Sequence, residues 1–287
     1  MPSRLDLRRR IRSVKATEQI TKAMKMVAAA RLRRWQARIL EARPYAEELA
    51  LVLRRVAAKV PERRHPLLQV RPEERVALVV VTGDKGLCGA FNANVLREVS
   101  TILEQRRFPE VELTLVGRKG LEYFRHKGIP LASQHLELMG RLTPEGAYAL
   151  SRELRETFES GRVDAVYVVY THFKSLLQQR VQVEKLLPIE REQLGGENGE
   201  ASVLFEPTPQ AILHALLPRH VDFQVWRILL DSVTAEHAAR MVAMDAASKN
   251  ASEMIDRLTL TYNRVRQATI TKELIEIVSG AAALGGR

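Results

Sequence analysis

The chain of 287 residues almost lacks helix-breaking residues in its two terminal parts. No glycine precedes Gly83, and neither glycine nor proline occurs in the 61 residues from Arg219 to Ser279. A single helix over this C-terminal stretch would be roughly 90 Å long, about twice the width of a compact chain of this mass. We therefore expect a helix that projects from its domain and packs against something outside it.

Cysteine, long apolar runs and a signal-like first segment are also scarce or absent, and this excludes other classes of protein. The single cysteine, Cys88, rules out an internal disulfide and fits a reducing compartment. Charged residues interrupt every apolar run well before the roughly 20 residues that a membrane-spanning helix needs. The first residues, Met-Pro-Ser-Arg-Leu-Asp, lack the apolar core of a secretory signal.

Both terminal parts carry apolar or small residues spaced three and four apart, which predicts helices that pair along a narrow seam. The N-terminal seam is Leu7, Ile11, Val14, Ile20, Met24 and Val27, then Leu32, Trp35, Ile39, Ala42, Ala46, Leu49, Leu53, Val56 and Val60. The C-terminal seam is Ala247, Ala251, Met254, Leu258, Tyr262 and Val265. An antiparallel coiled coil is the simplest arrangement. The step of six from Val14 to Ile20 predicts an irregular supercoil, and Pro44 predicts a kink or break.

The middle of the chain has a different pattern. Strands are predicted at 75–82, 111–117, 130–134, 163–170 and 179–187, with helices at 94–105, 119–127 and 144–160. This alternation predicts an α/β fold with an open, mostly parallel, Rossmann-like sheet. The expected organisation is an N-terminal shaft helix (1–62), a central α/β domain (72–192), a return loop (193–208) and a C-terminal shaft helix (209–287).

The net charge of +11 is concentrated in the first helix. Residues 1–43 contain thirteen Lys or Arg side chains and three acidic ones, so this helix favours an anionic partner, and a solvated face that keeps the protein soluble is the alternative. Nucleic acid, a lipid surface and acidic protein loops are all compatible with it. Aromatic residues make up only 5% of the chain, and no zinc-finger or RNA-recognition pattern is present, which weakens the nucleic-acid alternative.

No stretch of the sequence has the pattern of a catalytic, cofactor or metal site. The loop from Gly83 to Asn92 follows a predicted strand, but its glycines match neither the dinucleotide nor the Walker fingerprint. The seven histidines lack metal-ligand spacing, and no histidine lies near Cys88 in sequence. We expect the loop to form a structural turn or a protein contact, and Cys88 to be a packed side chain.

Several motifs together resemble the gamma subunit of F-type ATP synthases. They are Gln19–Ala30 on the first helix, the Gly83–Asn92 loop, Leu204–Pro207, Glu236–Met244, and the C-terminal Ile-Thr-x-Glu-x-x-Glu-x-x-x-Gly-Ala that begins at Ile270. They span the whole chain in the family's order, and the last is highly specific.

The resemblance implies a rotor without an active site, cofactor or metal. One copy would turn inside a ring of alpha and beta subunits, contact the epsilon subunit and the membrane c-ring, and shift each beta subunit between conformations. A single cysteine excludes the regulatory cysteine pair of chloroplast chains, so we expect the cytoplasmic face of a bacterial plasma membrane. A basic coiled-coil nucleic-acid-binding protein remains the alternative, followed by a nucleotide-dependent enzyme.

The resemblance also implies contact residues. Those expected to face alpha or beta subunits are Arg8, Arg9, Arg10, Lys22, Met24, Lys25, Arg266, Gln267, Glu273 and Glu276. Phe205, Glu206, Leu87 and Cys88 are expected at the membrane ring or the epsilon subunit. The apolar tail, 277–284, would turn in an uncharged bearing. Coiled-coil packing competes with a partner contact for Met24.

Overall fold

A computed structural model describes residues 3–60, 65–190 and 206–285, with side chains through Ser279. It forms two compact units. One unit contains residues 1–28 and 241–287, and we call it the helical pair. The other contains residues 29–240, and we call it the α/β unit.

Two long helices contribute to both units. Helix α1 spans Arg4–Ala58, and helix α5 spans Pro209–Gly285. Ser3 begins α1, since its Oγ accepts from the Asp6 amide and donates to the Asp6 carboxylate, which satisfies one of the free amides of the first turn. Thr208 plays the same part for α5 by accepting from the Ala211 amide at 3.2 Å.

Neither helix stops at its internal proline. Helix α1 continues through Pro44, which excludes a break there and leaves the kink as a prediction, and α5 begins nine residues before Pro218. A proline removes one intrahelical hydrogen bond. Around both prolines, tertiary packing offsets this cost, because Ala42, Ala46, Leu213 and Leu217 all contribute to one apolar core.

The α/β unit contains a five-stranded sheet and three further helices. Their bounds are β1 Arg75–Val81, α2 Phe91–Glu104, β2 Glu110–Val116, α3 Arg118–Phe124, β3 Leu131–His135, α4 Pro144–Glu159, β4 Ala165–Phe173 and β5 Gln179–Leu187. The strand order is β3-β2-β1-β4-β5. The first four strands are parallel, and β5 runs antiparallel to β4. The mostly parallel, Rossmann-like sheet is therefore confirmed.

The sheet separates two apolar cores. Val79 and Val81 point to one face, where they join α4 and parts of α1 and α5. Leu78 and Val80 point to the other face, which α2 and α3 cover. Because both faces are buried, β1 is a continuous run of β-branched and aliphatic residues, as parallel strands usually are. Among the described helices, none combines the length and the apolar character that a membrane span requires.

Candidate subunit-contact surfaces

The helical pair buries one stripe of each helix at heptad spacing. On α1 the buried and half-buried stripe is Leu7, Ile11, Val14, Glu18, Thr21, Lys25 and Ala28, with Met24 beside it. On α5 it is Met241, Met244, Ser248, Ala251, Ile255, Leu258, Tyr262, Val265 and Thr269. Both stripes repeat three and four apart without interruption, which is the spacing of a two-helix seam.

The predicted seam is wrong at three positions. Ile20 is 59% exposed, Val27 55% and Met254 52%. Glu18 and Thr21 continue the repeat after Val14, and so the predicted step of six is absent. An apolar pattern alone could not find them, because these seam residues are polar. The heptad spacing of Leu7, Ile11 and Val14 could have identified them, because the same spacing continued along α1 reaches positions 18, 21 and 25.

Two polar contacts join the helices across this seam. The Ser248 hydroxyl donates to Thr21 Oγ1 at 2.7 Å, and both side chains are buried. The Lys25 ammonium binds Asp245 Oδ1 at 2.6 Å and, with Lys249, lowers the pKa of that carboxyl. Lys25 lies four residues after Thr21 on α1, whereas its partner Asp245 lies three residues before Ser248 on α5. The helices are therefore antiparallel, as predicted.

The five basic residues of α1 that are predicted to contact partner subunits fall into two groups. Arg8, Arg9 and Arg10 are exposed, and no ion pair to them occurs within the described part of the chain. Lys22 instead binds Glu18 at 2.6 Å, and Lys25 binds Asp245. Of these five predicted contact residues, the three arginines are the ones without an ion pair in the described part of the chain.

The C-terminal part of α5 extends beyond its partner helix. On the observed register, Arg4 at the start of α1 lies level with Val265 or Arg266. Residues 270–279 are accordingly all exposed, including the apolar side chains Ile270, Leu274, Ile275, Ile277 and Val278. Arg266, Gln267, Glu273 and Glu276 are exposed as well, although Glu276 lies 3.7 Å from Lys272 of the same helix.

The Asp84 carboxylate connects the glycine-rich loop after β1 to other segments of the α/β unit. Its carboxylate accepts three backbone amides, from Arg118, Glu137 and Gly140, at 3.1 to 3.2 Å. The loop therefore binds the segments after β2 and β3 at the carboxyl edge of the sheet. Its polar groups are used within the protein, which agrees with a structural turn rather than a phosphate-binding loop.

The same loop is attached to α5. Arg240 Nη2 donates to the Glu236 carboxylate at 2.7 Å and to the Gly86 carbonyl at 3.2 Å. A Cβ on Gly83 would lie 3.0 Å from the Glu236 carboxyl carbon, so glycine permits this close approach. Sequence reasoning missed this pair because its members lie about 150 residues from the loop.

Within the loop, Leu87 and Cys88 have opposite environments. Leu87 is 64% exposed at a positive φ of 63°, whereas Cys88 is 1% exposed and packs against Phe91 and Ala235. Burial raises the pKa of the Cys88 thiol. Leu87 is therefore the exposed residue of this pair, and Cys88 is a packed side chain.

The remaining predicted residues precede α5 in the sequence. Glu206 is exposed, and Phe205 lies outside the described residues. In the described ranges, no three His, Cys, Asp or Glu side chains are grouped to hold a metal ion. The arrangement of exposed arginines and uncovered apolar side chains on long helices is suited to binding other proteins.

Comparison with known proteins identifies one family over the whole chain. The model of a family described as ATP synthase matches residues 3–284. The ATP synthase gamma chain of Anaeromyxobacter sp. is 49% identical over 289 residues, covering 99% of this chain and 100% of the relative. The gamma chain of Geobacter metallireducens is 44% identical with complete coverage of both chains.

Solved structures agree with this match. A chain of the central stalk and c-ring of Tetrahymena thermophila mitochondrial ATP synthase has a TM-score of 0.60 and 28% identity, with 80% of this chain and 99% of that chain covered. A chain of the Euglena gracilis mitochondrial ATP synthase has a TM-score of 0.67 over 97% and 93% of the two chains. At 20% identity, the second supports the fold alone.

Proposed function

The chain belongs to the family of ATP synthase gamma chains, and from this premise we propose that it is the central-stalk rotor of an F-type ATP synthase. In this role it couples ion flow through a membrane ring to conformational changes of the catalytic beta subunits, and it has no active site of its own. The full-length match to gamma chains is the observation that carries the proposal.

Physically, the rotor acts as a ligand with unequal faces. Each beta subunit meets a different face, and the face that it meets favours one of its conformations over the others. A shift between conformations requires a difference in binding free energy between them. The helical pair supplies such differences through exposed charge on α1 and uncovered apolar residues on α5.

We assign the contacts with alpha and beta subunits to three parts of the helical pair. Arg8, Arg9 and Arg10 attract acidic loops, and Lys22, Met24 and Lys25 lie at the neck of the shaft. The segment from Arg266 to Glu276, with Gln267 and Glu273, meets the upper part of the ring. The apolar tail turns in the bearing, where the absence of charge avoids holding the shaft at one angle.

The foot of the rotor is assigned to the α/β unit. Phe205, Glu206 and the exposed Leu87 meet the membrane c-ring or the epsilon subunit, whereas Cys88, also predicted as a contact, is buried and supports this loop from inside. One copy per complex then lies peripherally at the cytoplasmic face of a bacterial plasma membrane. The four parts 1–62, 72–192, 193–208 and 209–287 serve as shaft, α/β domain, return loop and shaft.

Reconstitution tests this proposal. The chain is mixed with separately purified alpha and beta subunits of the same organism, and ATPase activity and subunit stoichiometry are measured. A complex with one copy of this chain that hydrolyses ATP is the expected result. A second sample without residues 270–287 should assemble and show reduced activity, because the uncovered apolar residues of α5 are lost.

Failure of the intact chain to assemble with these subunits would contradict the rotor role. The relatives named above give no support to the nucleic-acid alternative. Binding of the basic helix to nucleic acid at moderate salt, together with failed assembly, would be the result that revives it.

A further inference from the structure

The turn between β4 and β5 carries two leucines where glycine or a polar residue is usual. Ser175 and Gln178 close the turn, because the backbone amide of each donates to the carbonyl of the other, at 3.0 and 3.3 Å. Leu176 and Leu177 are therefore its two central residues. Two-residue hairpin turns favour Asn, Asp and Gly, which reach the positive φ of the preferred turn types. Neither leucine has a positive φ, so turn chemistry does not account for them.

Burial within the protein does not account for these leucines either. Leu177 is 91% exposed, the highest value among the large apolar side chains of the described residues, and Leu176 is 40% exposed. The turn itself is well ordered by hydrogen bonds, since the Gln178 amide also donates to Ser175 Oγ at 3.0 Å. Folding of this chain gains little from side chains that it leaves in water.

A third exposed leucine projects from the same edge of the sheet. Strand β4 is parallel to its neighbour β1, so the loops that follow both strands leave the sheet at one edge. Leu87, 64% exposed, lies in the loop after β1. Phe173, the last residue of β4, packs against the cluster that contains Cys88 and so connects the two loops.

We call Leu87, Leu176 and Leu177 the leucine tip. Single exposed apolar residues are ordinary on protein surfaces, whereas a group of them on one side of the molecule is typical of a contact surface.

Unpaired basic side chains flank the leucine tip. Lys85 and Lys174 each precede one of its leucines by two residues, and Arg180 lies at the start of β5. All three are exposed, and within the described part of the chain none of them forms an ion pair. Their charge is therefore available to a partner.

The acidic side chains near this edge do not neutralise them. Each has a partner inside the α/β unit: Asp84 with three backbone amides, Asp231 with His172, Glu236 with Arg240 and Glu137 with Arg118. The uncompensated charge around the leucine tip is consequently positive.

We propose that the leucine tip docks into an apolar pocket, bordered by acidic side chains, on another protein subunit of the same complex. An apolar centre within a polar border is the usual anatomy of a protein interface. The unpaired basic side chains select an acidic border, because complementary charge guides association and disfavours wrong partners. The partner rests on the proposed rotor function, since a rotor works only in contact with other subunits.

A lipid surface is the competing occupant, because apolar and basic side chains also suit anionic membranes. Residues that anchor proteins at a membrane interface are typically Trp and Tyr. The leucine tip contains neither, and the nearby Phe173 is packed inward. A protein pocket is therefore the better match.

Photo-cross-linking in the assembled complex identifies the partner. The full chain carries Leu177→p-benzoylphenylalanine and is assembled with alpha, beta and epsilon subunits and the membrane ring. We expect a cross-link to one subunit, at a peptide with apolar and acidic residues. Val70, 76% exposed and placed before β1 at the opposite edge of the sheet, receives the same label as the control and should not reach that peptide. An assembled complex that hydrolyses ATP and gives no subunit cross-link from position 177 overturns the proposal.

Affinity then separates a docking role from a structural one. Leu176→Ser with Leu177→Ser should keep or raise the melting temperature of the full chain and weaken its binding to the cross-linked subunit about ten-fold or more. Val70→Ser should leave this affinity unchanged. A lower melting temperature with unchanged affinity in the double serine variant overturns the proposal.

The flanking charges have their own readout. Lys85→Gln with Lys174→Gln should slow association with that subunit at low salt and have little effect at about 1 M salt. An association rate that is unchanged at low salt would overturn the acidic border of the pocket.

Two further outcomes keep the alternatives apart. Sedimentation of the full chain with vesicles of phosphatidylglycerol and phosphatidylcholine, lost in the double serine variant, would assign the tip to lipid and overturn the protein partner. Failure of the natural chain to assemble contradicts the rotor role and this partner together. Assembly and ATP hydrolysis that do not depend on the leucines overturn this partner alone and leave the rotor role standing.

Discussion

The α/β unit and the helical pair bury their side chains in opposite ways. In the α/β unit both faces of the sheet are covered, and residues such as Leu78, Val80 and Leu115 have no exposed surface. In the helical pair only one stripe of each helix is covered, and part of that stripe is polar. An interior packed on all sides supports an independently stable fold, whereas a two-helix seam leaves most of its surface for partners.

The difference extends to titratable groups. All seven histidines of the chain lie outside the helical pair, and His220 and His237 are buried in the α/β unit. The helical pair contains exposed charged side chains in place of buried histidines, and the arginines of α1 are among them. We therefore expect substitutions, acid and salt to act on the two units differently.

The largest expected effect is at Gly117 in the α/β unit. It has a φ of 91°, and a Cβ there would lie 2.1 Å from the Thr82 carbonyl oxygen. Gly117→Ala should lower the free energy of unfolding by about 4 kcal/mol or more, because backbone must move. Chemical denaturation measures it. Gly86→Ala is the matched control, since nothing lies within 4 Å of its Cβ, and a similar loss there would contradict the steric explanation.

The second test compares one leucine from each unit. Leu78→Ala in the sheet should cost about 3 kcal/mol, because a fully buried side chain leaves a cavity. Leu258→Ala in the half-buried seam should cost about 1 kcal/mol, because solvent fills the space. Urea melts followed by circular dichroism measure both. Equal losses would remove the distinction between the two units.

Acid should destabilise the α/β unit selectively. Burial, which is the main cause in both, lowers the pKa of His220 and of His237 from 6.5 to about 4. Stability from these groups is fully present above pH 6.5 and is lost as pH falls towards about 4, because the unfolded chain takes up the protons. Each contributes about 1.4 kcal/mol per pH unit in that window.

Asp231 and Glu236 partly offset this loss, because burial raises the pKa of each carboxyl. Melting of the α/β unit between pH 7 and 4 is measured by tryptophan fluorescence, since Trp35 and Trp226 both lie there. His220→Gln with His237→Gln should flatten the profile. An unchanged profile in that variant would exclude these histidines as the cause.

The smallest expected effect concerns the exposed arginines of the helical pair. Arg8→Gln, Arg9→Gln and Arg10→Gln together should slow association with the alpha and beta subunits several-fold at low salt and hardly at all at about 1 M salt. Stopped-flow association measures it. Arg33→Gln, at an exposed position of α1 within the α/β unit, is the control. Equal slowing at both salt concentrations would contradict an electrostatic role.

The sequence predicts the secondary structure of the α/β unit closely, with every strand and helix from Arg75 to Leu187 placed to within three residues. Buried parallel strands have a strong signal, because both faces require apolar residues. The seam at Glu18 and Thr21 was harder to find. Their polarity hides them from an apolar count. Glu18 is paired with Lys22 of the same helix, and Thr21 accepts a hydrogen bond from Ser248 of the partner helix.

Local pattern by itself determined the long terminal helices, their pairing, the parallel sheet and the family to which the chain belongs. These properties follow from residue spacing and from motifs that are contiguous in sequence. Which distant groups satisfy one another depended on the tertiary structure: Asp84 with three amides, Arg240 with the Gly86 carbonyl, and Thr21 with Ser248. These hydrogen bonds join groups that are far apart in sequence and meet only after folding, so local sequence patterns do not reveal them.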